Sequence, residues 1–452
     1  MTDWAVPEPY DSNRPVVCIL GPTASGKTSL STKVCAEFGG EVIVCDSIQL
    51  YEHCNILSAK VTDAEASGIP HHLLSSVSPL DPSFTVMKYQ QAAVKAINDC
   101  HKRDKVPFIV GGTVYYAAST MAFDSLLGSN QEYIDAVDPA AGGYSVLQKK
   151  WDLPLDELEA VFKQTCTANR VPFEALGSRR AYREAMVCYE MTGNFPSRYQ
   201  QKEESEASFA SLVIYLTCDP EELSRRAQAR VDEMKAQGVV SEAVGLYLKG
   251  ISEGAMLDRG VFQAIGLKEL KPLVDRILDD MTVEDSPRFH RDALDSMTDR
   301  ELALLWGPTL PAQVHRLPDL TGLDDLIDDC LQTVVTSTVN YAKKQAKAVD
   351  VLKARGFPVV EVDTTRVRVD GWGDIVGQTA KIIRHFIAHP YKATLAPPDP
   401  EARKVFHCDI CGRDIVGRQQ YDVHLKSGKH KRGLRTMKRN QGRRPSFNII
   451  VR

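Results

Sequence analysis

The first 120 residues alternate short apolar runs with longer stretches of mixed polarity. Pro15 to Leu20 (PVVCIL), Glu41 to Cys45 (EVIVC) and Val106 to Val110 are the apolar runs. Runs of this length between Gly and Pro signals predict strands buried on both faces. The intervening stretches, Thr28 to Phe38 and roughly Thr85 to Arg103, predict helices. Gly39-Gly40 ends the first, and Gly111-Gly112 closes the third strand. Strand–helix–strand repetition predicts an α/β domain, a parallel sheet with helices on both faces. From about Phe123 to Ala210 strand signals vanish and a helical insertion is expected. Leu212 to Leu216 (LVIYL) rejoins the sheet. Charge-patterned helices are expected from Pro220 to about Lys249 and from Gly322 to about Ala354, with a last strand at Pro358 to Val362. Leu273 to Pro311 is acidic and poorly patterned. Pro390 to Pro400 (PYKATLAPPDP) reads as a stiff linker to a separate module.

At 452 residues the chain is long enough for two or three domains. The pattern divides it into a core in two parts (1–122 and 211–389), the insertion (123–210), a linker (390–404) and a terminal module (405–452). The net charge of −4 hides an asymmetry. Residues 401–452 hold 14 Lys/Arg against 4 Asp/Glu, so a tail of +10 hangs from a body of about −14, which points to a polyanion partner for the tail. Of the 11 cysteines only Cys408 and Cys411 are spaced as a pair. Scattered thiols fit a reducing compartment, and the cytosol is expected, with nucleus and mitochondrion as further possibilities. No run is long enough to span a bilayer, and the acidic N-terminus resembles neither a secretory signal nor a mitochondrial presequence.

The first apolar run leads into Gly21-Pro22-Thr23-Ala24-Ser25-Gly26-Lys27-Thr28, a G-x-x-x-x-G-K-[ST] match between a strand and a helix. Such a P-loop wraps phosphate oxygens with its amides. Lys27 would neutralise charge and the Thr28 hydroxyl would hold Mg²⁺. The mundane alternative is a glycine turn with a chance lysine. The loop does not say which phosphate: ATP or any metal-bound diphosphate fits.

After the second strand comes Asp46-Ser47-Ile48-Gln49. A carboxylate at the C-terminal end of a parallel strand faces the ligand crevice, where it can hold a metal or act as a base. The Gln49 carboxamide could read a base edge. A lone Asp here can equally cap the next turn. His71 and His72 are adjacent and point apart on any regular element, so they read as structural.

In the tail, Cys408, Cys411, His424 and His430 follow C-x2-C-x12-H-x5-H, a Cys₂His₂ zinc pattern. Phe406, Tyr421 and Leu425 are its candidate core. The wide histidine spacing resembles matrin-type fingers associated with RNA. Lys426, Lys429, Lys431, Arg432, Arg435, Lys438 and Arg439 would grip phosphates. A basic localisation run is the plainer reading, and the two are compatible.

The strings GPTASGKT, EVIVCDSIQLY, IPHHLL (Ile69 to Leu74) and IVGGTVYY (Ile109 to Tyr116), in this order, resemble the tRNA dimethylallyltransferase family, also called tRNA isopentenyltransferases. YEMTGN (Tyr189 to Asn194), RVDEM (Arg230 to Met234), GVFQAIGLKE (Gly260 to Glu269) and YAKKQ (Tyr341 to Gln345) extend the resemblance over roughly residues 15 to 350, and the finger fits its eukaryotic branch.

The resemblance implies a P-loop NTPase-like fold and transfer of a dimethylallyl group from dimethylallyl diphosphate to N6 of adenosine 37, in the anticodon stem-loop of tRNA. The loop then holds diphosphate and Mg²⁺, with Arg230 nearby. Arg230 could instead be an exposed helix residue paired with Asp232 or Glu233. Asp46 takes the amine's proton, Thr113 lies near that amine, and Ser47, Ile48 and Gln49 contact the base. Arg179, Arg180 and Arg183 are candidate tRNA contacts. A monomer with no membrane partner is expected. The insertion departs from the family pattern: Glu184 stands where a basic residue is usual, and a carboxylate facing tRNA phosphate is repulsive. Two other classes fit the P-loop or the finger taken singly, a nucleotide or small-molecule kinase and a non-catalytic RNA-binding paralogue.

Overall fold

The computed structural model describes residues 13–81, 84–122, 150–151, 153–169, 179–192, 205–255, 257, 260–283, 323–395, 405–411, 413–416, 418–427 and 430–434. Contacts divide the chain into two units, 1–125 with 206–395 and 126–205 with 396–452.

The first unit is built on a six-stranded sheet of order β3-β2-β4-β1-β6-β7. Its strands are β1 (Pro15–Leu20), β2 (Glu41–Val44), β3 (His71–His72), β4 (Pro107–Gly111), β6 (Ala210–Thr217) and β7 (Val359–Asp363). All pairings are parallel, with Cys18 opposite both Ile109 and Val213. Val16 to Leu20 and Pro107 to Gly111 are buried at consecutive positions. Strands buried at successive residues are covered on both faces, which is why they read as continuous apolar runs. β3 has only two residues, too few to leave a periodic signal. A short strand β5 (Ser205–Glu206) forms a separate two-stranded sheet with β8 (Thr394–Leu395).

The helices of this unit are α1 (Lys27–Phe38), α2 (Asp63–Ala66), α3 (Val86–Lys102) and α4 (Val114–Met121), then, after the insertion, α7 (Pro220–Gln237), α8 (Val239–Ser252) and α9 (Leu267–Val283), then α10 (Asp324–Ala346), α11 (Val349–Ala354), α12 (Val367–Asp370) and α13 (Gly373–Ala388). The Thr85 hydroxyl caps α3 by accepting the Lys88 amide, and Asp219 caps α7.

The helical stretch expected from Pro220 to about Lys249 holds two helices. Gly238, at φ 94°, ends α7 and starts α8, a conformation glycine adopts without steric cost. The helical stretch expected to about Ala354 also holds two, α10 and α11, with a break between Ala346 and Val349. No glycine or proline marks that break, so the pattern runs across it. The first part of the acidic stretch after Leu273 is the end of α9; residues 284–322 lie outside the described part. The first residues of the linker expected from Pro390 are packed, since Leu395 is fully buried in β8 and the Ala393 carbonyl accepts the Ala207 amide; residues 396–404 lie outside the described part.

At the start of β2, Glu41 is buried and shares one carboxylate oxygen between His72 Nε2 and Arg103 Nη2, each at 2.6 Å. Burial raises its carboxyl, but these hydrogen bonds, the Arg103 charge and a hydrogen bond from Cys100 together hold the group below the usual range. Glu41, His72 and Cys100 place donor atoms within 4.8 Å of one another. The guanidinium already occupies the carboxylate, and the group reads as a charge-paired anchor for the sheet edge.

In the second unit, α5 (Leu155–Ala168) and α6 (Arg179–Thr192) pack through Leu158, Phe162, Cys166, Tyr182, Ala185 and Met186. The i, i+4 spacing of Leu158, Phe162 and Cys166 puts them on one face. The terminal module is a hairpin, β9 (Val405–Cys408) and β10 (Arg413–Val416), followed by α14 (Arg418–Lys426).

Candidate active site

The C-terminal ends of β1, β2 and β4 converge, and two glycines permit the approach. A Cβ on Gly111 would lie 1.9 Å from the Cys45 carbonyl oxygen, and one on Gly112 would lie 2.3 Å from Gln345 Nε2. The Cys45 carbonyl accepts the Thr113 amide at 3.1 Å, and the Thr113 hydroxyl accepts the Ser47 amide at 3.2 Å. Asp46 is thus framed on both sides by bonds to Thr113.

The P-loop leaves β1 and enters α1 at Lys27. Gly26 has φ 91° and Ala24 φ 64°, the left-handed turns that curl the loop. Its outer surface is clamped: the Thr364 hydroxyl donates to the Ser25 carbonyl at 2.9 Å, and the Trp372 ring fills the space a Gly26 side chain would need. Ser25 is fully buried and its hydroxyl has no partner among the described residues. The Thr23 amide is not turned to an anion; it donates to Gln345 Oε1 at 2.9 Å. Lys27 turns its ammonium inward onto the Pro22 carbonyl at 2.7 Å. Burial pulls that ammonium down to about 8, with Asp46 opposing the shift and Arg230 adding to it.

Asp46, Ser47 and Ile48 line a cavity of about 710 Å³. One Asp46 oxygen accepts the Ile48 amide at 3.0 Å, so the turn-capping role exists alongside the position in the cavity. Gln49 is not among the lining residues. Its amide nitrogen donates to the Ser58 and Ala59 carbonyls at 3.1 and 3.4 Å, which leaves only its oxygen to meet a base.

Arg230, on α7, lines the same cavity as Asp46 and Thr23. Its guanidinium reaches the Thr23 hydroxyl at 3.3 Å and the Ser58 and Ala59 carbonyls at 3.4 Å. Asp232, its expected partner as a surface residue, bonds Gln228 instead. Burial pulls the Arg230 guanidinium below its ordinary value. The wall is apolar along Ala227, Val231 and Met234 of α7 and Leu331 and Val334 of α10.

The match to known families spans most of this wall. Residues 49–299 match the family described as IPP transferase, more than half of the chain. The chain belongs to the IPP transferase family. The tRNA dimethylallyltransferase of Mus musculus is 28% identical over 452 residues, 94% of this chain and 87% of the relative. That of Geobacillus kaustophilus is 36% identical over 265 residues, 58% of this chain and 78% of the relative. The fold matches a solved eukaryotic dimethylallyltransferase acting on tRNA, with TM-score 0.63 at 21% identity, covering 95% of this chain and 98% of that one.

In this IPP transferase, several lining residues carried no assigned role at the level of sequence: Ser58, Gln263, Lys268, Tyr341 and Lys344. Tyr341 and Lys344 sit one helical turn apart on α10. Burial, then Asp46, pushes the Tyr341 hydroxyl up to about 12. The signal was present as strings, YAKKQ and GVFQAIGLKE, but a string assigns no direction to a side chain.

The terminal module of the transferase brings Cys408, Cys411, His424 and His430 together, with donor atoms within 4.8 Å of one another, so they could hold a metal. His430 Nδ1 lies 3.3 Å from Cys408 Sγ, 3.8 Å from Cys411 Sγ and 3.2 Å from His424 Nε2. A tetrahedron with ligands at about 2.0–2.3 Å has edges of about 3.3–3.8 Å, so the four donors fit such a centre. Phe406 and Tyr421 stack at 5.2 Å as expected, but Leu425 is exposed. On the nine-residue helix His424 is buried and Tyr421 half-buried. Lys426, Lys431 and Arg432 are exposed; Lys429, Arg435, Lys438 and Arg439 lie outside the described residues.

On α6, Arg179 donates to the Leu153 carbonyl at 2.6 Å and Arg183 is half-buried; the side chain of Arg180 lies outside the described part.

Proposed function

We infer that this chain is a tRNA dimethylallyltransferase that moves the dimethylallyl group of dimethylallyl diphosphate onto N6 of adenosine 37. The observation that carries this is one cavity lined by a carboxylate, Asp46, a guanidinium, Arg230, and an apolar wall. The hydrocarbon of the allyl group suits that wall, and the diphosphate suits Arg230 and the loop residues Gly21 to Thr28.

N6 attacks C1 of the allyl group, the C1–oxygen bond breaks, and diphosphate leaves with the bonding pair. An exocyclic adenine amine is a poor nucleophile, and Asp46 accepts its proton. Lys27, Arg230 and the first amides of α1 stabilise the charge that grows on the leaving group. Thr113 and Ser47 hold the turn beside the amine, and Ile48 and the Gln49 oxygen are read as contacts to the base. The hydroxyl of Thr28 is a hard-oxygen donor of the kind Mg²⁺ takes. Mg²⁺ held there would add positive charge beside the diphosphate.

The tail is read as a zinc finger, with Cys408, Cys411, His424 and His430 as ligands and its lysines and arginines on tRNA phosphates. The insertion, with Arg179, Arg180 and Arg183, is read as a second tRNA-binding element. The core, insertion and finger act as separate domains of a cytosolic monomer.

The test is to incubate the protein with labelled dimethylallyl diphosphate, Mg²⁺ and total tRNA, then digest to nucleosides. N6-dimethylallyl-adenosine is expected. ATP consumption without that product would instead identify a kinase.

A further inference from the structure

Gln345 is 6% exposed and sits at the end of α10 between the two loops that the reaction needs. Its Oε1 accepts the Thr23 amide at 2.9 Å, and its Nε2 donates to the Gly112 carbonyl at 2.9 Å. The backbone of the same residue is pinned as well, since the Tyr215 hydroxyl donates to its carbonyl at 2.5 Å. The amide orientation is unambiguous: an N–H must meet the oxygen and a carbonyl must meet the nitrogen. Gly112 leads directly into Thr113, whose hydroxyl holds the Ser47 amide next to Asp46.

We propose that Gln345 is a positioning residue for the transfer, a strut whose amide sets the separation between the diphosphate loop and the turn carrying Asp46 and Thr113. This rests on the transferase reading above. The side chain must donate and accept at once, which among residues of this length only a glutamine or a protonated glutamate does. The absence of a side chain at Gly112 permits this close approach, because a Cβ there would lie 2.3 Å from the Gln345 amide nitrogen.

The discriminating variant is Gln345→Glu. When protonated, it reproduces both hydrogen bonds. When ionised, it keeps the Thr23 amide but turns a charged oxygen toward the Gly112 carbonyl. Burial raises a carboxyl, so this switch falls near neutral pH. The titratable groups around the site are Tyr215 from β6, Tyr341 on α10, and Lys27 and Asp46 from the loops it joins. Both tyrosines are pushed up by burial, and saturating diphosphate keeps Lys27 charged. Wild type assayed in parallel removes whatever these groups contribute.

At pH 9 and saturating substrates the variant's kcat should fall about 10²-fold relative to wild type, the cost of a misplacement on the order of 1 Å. The ratio should recover to within about tenfold at pH 6, and the affinity for dimethylallyl diphosphate without tRNA should stay within roughly threefold of wild type. Gln345→Leu, uncharged and of similar size, should show the same loss of kcat at every pH, and it stands in if the glutamate variant does not fold. A kcat equal to wild type in either folded variant overturns the proposal. So does a loss shared equally by kcat and diphosphate affinity with no pH recovery, which would mark a merely structural residue. If wild type itself makes no prenylated nucleoside, the transferase reading fails and takes the strut with it. An active wild type beside an unimpaired variant removes the strut alone.

Discussion

The depressed Lys27 ammonium makes diphosphate binding depend on pH, and its size follows from the structure. In the ligand-free protein, burial lowers Lys27 from 10.5 to about 8. A bound diphosphate restores the charge, so above pH 8 binding must take up a proton. The sign is therefore weaker binding as pH rises. With a free-state value of about 8, the protonated fraction falls from about 0.9 at pH 7 to about 0.1 at pH 9, so Kd should rise about tenfold. Calorimetric titration with dimethylallyl diphosphate in the absence of tRNA reads this directly, and buffers of different ionisation enthalpy should reveal uptake of about 0.9 proton at pH 9. Lys27→Met should bind weakly with no such slope. A wild-type Kd that is flat from pH 7 to 9 would refute the reasoning, because it would mean the ammonium is already fully charged in the free loop.

Asp46→Asn should leave diphosphate binding nearly intact and lower turnover by about 10² or more, measured at saturating substrates; equal turnover removes Asp46 as the base. Cys411→Ser should unfold the finger and weaken tRNA binding at moderate salt while sparing diphosphate affinity, as filter binding and calorimetry would report. Glu242, on α8, accepts the amides of Asn55, Ile56 and Leu57 at 2.8, 2.9 and 2.8 Å. Glu242→Gln should therefore cost about 1–3 kcal/mol in urea unfolding. It should also weaken diphosphate binding, since this turn carries the Ser58 and Ala59 carbonyls that hold Arg230; unchanged stability and affinity would deny the turn that role.

Much of the core was legible because local composition records burial. β1 was readable residue for residue, since a strand covered on both faces has no polar position to spare. The P-loop and the Cys-x2-Cys half of the metal cluster were readable for a related reason: a tight turn and a chelate pair are built from neighbours in sequence. Legibility failed where a short-range pattern says nothing. β3, with two residues, and the break after Ala346 leave no mark in hydrophobic spacing.

The site shows the same division. The residue types were set by the chain itself: a glycine-rich loop, an acid after a strand, a run of lysines. What each side chain does was decided in three dimensions. Gln49 was expected to read a base, and the bonds of its amide nitrogen to Ser58 and Ala59 decide that only its oxygen is left for that contact. Arg230 had surface partners within its own helix and turned to the cavity instead. Gln345 meets Thr23 across 322 residues of chain. Hydrogen bonds between such distant residues follow from which elements pack together, and only the assembled sheet and helices place a donor opposite its acceptor.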